Sequence, residues 1–369
     1  RIARVLSPRI QVTSGRASLP PSSFDQEWGS QKHKITTFVY SKQKTRWPNL
    51  RGFYISKEGV VWLSSLAFSL IKGKFHIFAA GTAAPEHIIT FIISKLLRKP
   101  IIIVDSHWFW PKTMLAKLLW PIGKLIAQHA TVFSVVGQRT RKFWNLSGIS
   151  DKKIEIYHSY YSTIDVRHKH ITRAKQLRKR LGDKRIILSL GRLIRPKGVD
   201  YLIKSFAKLS DHNKNVLLLI VGDGPERNSL EKLCKDLGLN NVVFSGAVYG
   251  DMKATYFLLS DIFVYPSITT ITPEEWGLAV NEAMSVGKPV IVTKAVGCAY
   301  DLVKHGVNGY IIPERDVEAL YLALKTLVDN SQLRIKTGKA SKKIIQDFTY
   351  YNARKSLNEL IKMACENHS

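Results

Sequence analysis

Two acids eight positions apart, Glu274 and Glu282, bracket the run E-W-G-L-A-V-N, and residues of these types could together hold a phosphorylated sugar. The spacing predicts a helix that starts at Gly277 or Leu278, runs through Glu282 and Met284, and stops at Gly287, with Pro289 opening an apolar strand, Val290–Val292. The NH groups of Gly277, Leu278 and Ala279 would lack intrahelical acceptors there. They would stand at the positive end of the helix dipole, where a diphosphate is stabilised. Glu274 precedes that end and Glu282 follows it by about one to two turns, so one acid can reach a group beyond the phosphates and the other a group behind them. Taken singly, each reads more simply: Glu274 as an acid complementing the dipole, Glu282 as a solvated surface residue.

Cations come from another stretch. An apolar strand is predicted at Arg185–Leu190, and the loop after it carries Gly191, Arg192, Lys197 and Gly198. Its glycines permit close backbone approach, and its two cations would clamp a leaving diphosphate if this strand neighbours the one before Glu274. Earlier in the chain, the strand Ile101–Val104 runs into Asp105, Ser106 and His107, followed by Trp108, Phe109 and Trp110. Ligands of open α/β sheets bind beyond such carboxyl ends. A single His in that position is more often a structural hydrogen-bonding residue than a catalytic one. Cys234, Cys298 and Cys365 are widely spaced and match no zinc pattern, so no metal ligand set is assigned.

The string EEWGLAVNEAMSVGKPVIV resembles the E-x7-E signature of glycosyltransferase family 4, the retaining, nucleotide-sugar-dependent enzymes of GT-B fold, with Trp276 where Phe is usual. Five blocks occur in the family's order between Gly191 and Pro313: GRLIRPKG, LLIVGDGPER, VVFSGAV, the E-x7-E stretch and AVGCAYDLVKHGVNGYIIP. The resemblance implies an α/β, GT-B architecture of two Rossmann-like domains whose parallel sheets face a deep interdomain cleft. It implies that Arg192 and Lys197 neutralise the departing diphosphate, Glu282 holds the ribose, Glu274 the sugar hydroxyls, and His107 the transferred sugar. Gly191, Gly277, Leu278 and Ala279 would line the donor phosphates, and Gly246, Ala247 and Val248 would bring backbone atoms to the base. Transfer in such enzymes runs through a front-face, oxocarbenium-like route in which the leaving phosphate helps take the acceptor's proton. Neither a dedicated base nor a cofactor is then needed, and no D-x-D motif for a metal is present. The partners implied are a UDP- or GDP-sugar and a glycan or lipid-linked acceptor.

The chain departs from the pattern near its start. No first strand with a glycine loop is visible in residues 1–30, and of the N-G-x-D turn that closes the first domain only Asp165 remains. The expectation is that the first strand and loop are missing or replaced, leaving the first sheet a strand short with an exposed edge.

Alternating strands and helices organise the rest: strands at Ile10–Thr13, Ile35–Tyr40, Phe75–Ala79, Ile101–Val104 and Ala130–Val136, helices at Gly59–Ile71 and Ala84–Leu97, and a loop rich in Ser, Pro and Gly at Ser14–Ser30. The domains expected are 1–165, 166–345 and a C-terminal helix, 346–369, crossing back to the first, with Asp316 capping a helix after Pro313. The 369 residues suit two domains, and 45% hydrophobic content without a long uncharged apolar run argues against a membrane span. RIARVLSPRI is basic but lacks the continuous apolar core and small-residue cleavage site expected of a secretory signal, and the cysteine usage fits a reducing cytoplasm, with attachment at the inner face of the membrane an open reading.

Net charge is +28, and residues 1–180 carry 31 Lys/Arg against 8 Asp/Glu. Such asymmetry calls for an anionic partner or a solvated basic face. Pro111–Gln128 alternates apolar residues with Lys112, Lys117 and Lys124 and is broken by Pro121 and Gly123; it reads equally as a segment lying on an anionic membrane or as a sheet-covering helix. The basic run from Val166 to Lys184 lacks interleaved aromatics, which disfavours nucleic acid. An alternative from another class is a basic scaffold or nucleic-acid-binding protein on a decayed GT-B fold.

Overall fold

The computed structural model describes residues 10–12, 70–72 and 75–367, except positions 83, 158, 160, 162, 163 and 272. The expected Ile35–Tyr40 strand and Ser14–Ser30 loop lie outside the described residues, as does most of the Gly59–Ile71 helix. Two units form.

In the first unit, near-continuous Ile, Val and Phe runs form parallel strands because such strands are covered on both faces. They lie in chain order: β1 (Ile10–Val12), β2 (Ile77–Ala80), β3 (Ile101–Asp105), β4 (Val132–Val135) and β5 (Ile154–Ile156). Alternation divides the side chains. Ile101 and Ile103 join Phe78, Phe133 and Trp144 on one face. Ile102, Ile77 and Val132 point to the other, where Leu357, Leu360 and Ala364 of the helix Tyr350–Glu366 cover them.

The stretch expected to be interrupted at Pro121 and Gly123 is one continuous helix, Met114–His129. Thr113 caps it by accepting from the Ala116 NH. Pro121 has no NH for the Lys117 carbonyl, but both residues are exposed, so water can replace the lost bond. Gly123 lets the helix close on the loop after β2: a Cβ there would stand 3.2 Å from the Thr82 carbonyl oxygen.

The second unit's sheet is also parallel, built from β6 (Arg185–Leu190), β7 (Val216–Val221), β8 (Val242–Phe244), β9 (Ile262–Tyr265), β10 (Val290–Thr293) and β11 (Gly309–Ile312) in the order β11-β10-β9-β6-β7-β8. The chain winds outward from β6 in one direction and from β9 in the other. The crevice between their carboxyl ends is therefore the topological switch point, where open α/β sheets bind ligands. Phe206, Leu218, Leu324 and Leu327 fill the core between sheet and helices. Asp316 caps the helix Val317–Asp329 through the Ala319 NH at 2.9 Å. The basic helix His168–Leu181 is anchored: Arg178 grips Asp261 with both terminal nitrogens, and the same carboxylate accepts from the Ile186 NH at the head of β6.

One half-buried acid makes this unit pH-sensitive. Asp301 accepts from the Gln138 NH at 3.0 Å, while its other oxygen has no partner among the described residues. Burial pushes its carboxyl up to about 6, only partly offset by the Gln138 bond. The native form thus holds a proton that the unfolded chain, titrating near 3.8, has released, so stability falls as pH rises between these values. Asp301→Asn should raise stability at pH 7 by about 1–3 kcal/mol, with the gain disappearing below about pH 4. Thermal melts of both proteins across that range check it.

Candidate active site

The recess at the switch point is lined by Ser189, Gly191, Arg192, Lys197, Tyr265 and Pro266 among others. β6 ends at Leu190, and the following backbone is locked to the next loop, the Gly191 NH donating to the Val221 carbonyl and the Leu193 NH to that of Asp223. Gly198 then turns the chain in the left-handed region, where a Cβ would collide with the Pro266 carbonyl. These constraints aim Lys197 at β9.

Lys197 Nζ donates to Tyr265 Oη at 2.5 Å and to the Glu274 carboxylate, and stands 4.8 Å from the Tyr265 ring centre. Burial first, and then the Glu274 carboxylate, push the Tyr265 phenol well above its ordinary value, so it stays a neutral donor. Arg192 is exposed on the rim, with no carboxylate partner among the described residues.

Glu274 is placed by a short ladder. Its NH donates to the Ala295 carbonyl, its carbonyl accepts from Gly297, and the Trp276 carbonyl accepts from Cys298, so residues 274–276 run parallel to the chain leaving β10. Trp276 is buried and its indole NH reaches Asn281 Oδ1 at 2.9 Å, which lets the larger ring stand in this position. The helix Leu278–Ser285 starts behind Gly277, and its first NH groups, those of Leu278 and Ala279, have no intrahelical acceptor. Glu282 is buried and ion-paired with Lys253 at 2.5 Å, which overturns its reading as a solvated residue.

Gly246 joins the same cluster of loops, its carbonyl accepting from the Gly222 NH at 2.9 Å; Ala247 and Val248 follow it past β8. His107 lies in the first unit, where its ring and its NH both bond Asp105 Oδ1, at 2.6 and 2.8 Å. Burial opposes ionisation of Asp105, but His107 and the Thr82 hydroxyl outweigh it and hold the carboxyl below its usual range. Gly191, Arg192, Lys197, Glu274 and Gly277 therefore gather at one crevice, Glu282 lies on the helix beginning there, and His107 is ordered by its own carboxylate.

Three contributors escaped sequence reasoning. Tyr265 had a usable signal, being the last residue of a parallel strand. Asp105 had the same signal, noted only as part of a polar turn. Lys253 had none, since an isolated lysine on a short helix looks like any solvated one.

Residues 171–344 match the family model described as glycosyl transferases, group 1. All five blocks lie within this group 1 match. An uncharacterized glycosyltransferase of Methanocaldococcus jannaschii is 33% identical over 186 residues, 50% of this chain and 46% of that protein. The alpha-D-kanosaminyltransferase of Streptomyces kanamyceticus is 27% identical over 279 residues, 72% of this chain and 70% of the relative. The chain thus spans about half the length of the former. Among solved structures, Anabaena HepE in complex with UDP superposes with a TM-score of 0.72 at 20% identity, covering 89% of this chain and 86% of that one. The fold is GT-B, which accounts for the two parallel sheets.

Gly277 is the backbone residue on which this arrangement is most sensitive. Its φ is 102°, and a Cβ would stand 2.9 Å from Val296 Cγ1 and 3.1 Å from Tyr265 Cε1. Gly277→Ala should destabilise the protein by about 2 kcal/mol. Urea unfolding is the measurement, and a loss below about 0.5 kcal/mol would mean that the segment relaxes freely.

Proposed function

We propose that this protein is a retaining glycosyltransferase that moves a sugar from a UDP- or GDP-sugar to a glycan or lipid-linked acceptor. The observation carrying this reading is the crevice between β6 and β9, where two cations, an unsatisfied helix start and a laddered glutamate converge. A diphosphate placed there would meet Arg192, Lys197 and the NH groups of Leu278 and Ala279, charges and dipoles already oriented where negative charge grows as the glycosidic bond breaks. In this reading the cations do the work that a metal does elsewhere, and no cofactor takes part.

Glu274 would hold the sugar hydroxyls. Its contact with Lys197 supports this: the ammonium that would meet the diphosphate also holds the carboxylate, so a phosphate and the sugar next to it would find both groups side by side. Glu282 would hold the ribose hydroxyls, with Lys253 keeping its carboxylate oriented. His107 would contact the transferred sugar, its ring set by Asp105. Backbone atoms of Gly191 and of Gly246, Ala247 and Val248 would meet the phosphates and the base. Retention follows if the leaving phosphate takes the acceptor's proton on the face it departs from, so no separate base is assigned. UDP bound to the HepE fold and sugar transfer by the kanosaminyl enzyme support the same substrate class.

The two acids should separate on substitution. Glu282→Ala should weaken binding of the free nucleoside diphosphate by about 1–3 kcal/mol, whereas Glu274→Ala should spare it and depress transfer from the nucleotide-sugar. Calorimetry with UDP and GDP, beside turnover of a panel of UDP- and GDP-sugars, makes the test. Equal losses of nucleotide affinity would remove the two roles, and a chain that no nucleotide-sugar stabilises against heat would remove the function.

A further inference from the structure

The helix Met114–His129 has two apolar faces, and the sheet needs only one. Gly123, Ile126 and Ala127 are buried against the first unit's core. Met114, Leu115, Leu118, Ile122 and Leu125 are all exposed, Met114 by 89% and Leu118 by 73%. At about 100° per residue these five fall within roughly a quarter to a third of the circumference, a single stripe turned away from the buried side. The neighbouring helix Pro85–Leu96 is tied to this one by Lys95 Nζ on the His129 carbonyl at 2.6 Å and adds exposed Ile92 and Leu96. Lone exposed apolar residues are ordinary; a ridge of five on one helix is not.

We propose that this ridge docks on an anionic phospholipid bilayer. Charge complementarity selects that occupant. No acid occurs from Pro111 to His129, Lys117 and Lys124 run along one flank of the stripe, and residues 1–136, all in the first unit, hold 19 Lys/Arg against 5 Asp/Glu. A second copy would bring the same charges against themselves. Nucleic acid would leave an aliphatic ridge with nothing to bury it, whereas a bilayer takes the five side chains into the acyl boundary and the ammonium groups among the headgroups. The helix, 16 residues long, lies along the surface: no helix among the described residues is long and apolar enough to cross it.

The test uses the full chain and vesicles of phosphatidylcholine alone or of equimolar phosphatidylcholine and phosphatidylglycerol. Wild-type protein should sediment with the anionic vesicles, be released by salt as the charges are screened, and stay in solution with the neutral ones. Leu115→Gln, Leu118→Gln and Ile122→Gln together should lower partitioning by about tenfold or more, and Lys117→Gln alone by about fivefold. Circular dichroism melts and UDP binding of the triple variant, unchanged from wild type, show that both units remain folded. Equal sedimentation with both vesicles, indifference to salt, or undiminished binding by the triple variant overturns the proposal. So does a chain that binds neither vesicle but forms dimers that the triple variant dissolves, or one that shifts RNA instead. None of these readouts depends on sugar transfer.

Discussion

The position of the Lys197 ammonium governs the crevice. It lies between a carboxylate, Glu274, and a buried phenol, Tyr265, each carried by a different piece of chain. Holding these three together requires β6 and β9 to be adjacent, Gly198 to turn the chain where no Cβ fits, and residues 274–276 to pair with the segment leaving β10. A partly buried cation stabilises this arrangement only while its partners stay in reach, since a lost partner leaves a charge poorly solvated. The same contact keeps the Glu274 carboxylate ordered in the absence of any ligand, so less ordering would remain to be done on binding one.

Glu282 obeys the same electrostatic rule one helix further back. A carboxylate this buried needs a cation, and Lys253 supplies it from the helix Lys253–Leu259. The short helix Leu278–Ser285 thereby joins two ion pairs, one in front of its N-terminus and one along its length. Trp276 is the pin between them, its indole bonded to Asn281 within that helix. The larger ring at this position is accommodated because its polar edge has an acceptor inside the core.

In the first unit, the helix Met114–His129 is asymmetric in a different way. Its buried side carries two small residues, Gly123 and Ala127, beside a single large aliphatic one, Ile126, while Met114, Leu115, Leu118, Ile122 and Leu125 are exposed. Folding alone would favour the opposite distribution, because burial of Leu stabilises far more than burial of Gly. An outward aliphatic ridge flanked by lysines costs stability unless something covers it.

Much of the second unit was legible in the sequence. Glycine, proline and apolar run lengths mark the strand ends and the start of the helix after Gly277, because local backbone geometry obeys short-range rules, and the five ordered blocks identified the fold. The continuity of the helix through Pro121 was not legible, since Pro signals a break unless its orphaned carbonyl happens to face water. Nor was the burial of Glu282, whose type and position fit a solvated residue until Lys253, 29 positions away, is brought against it. The ridge on Met114–His129 was ambiguous for the same reason: periodicity shows that a helix has apolar faces, but only the packed sheet decides which is covered. The amino-acid order determined the elements, the blocks and the charge asymmetry, all set by neighbours in the chain. Which charges meet and which apolar face stays bare was decided only in the tertiary structure, because both depend on residues far apart in sequence sharing one low-dielectric space.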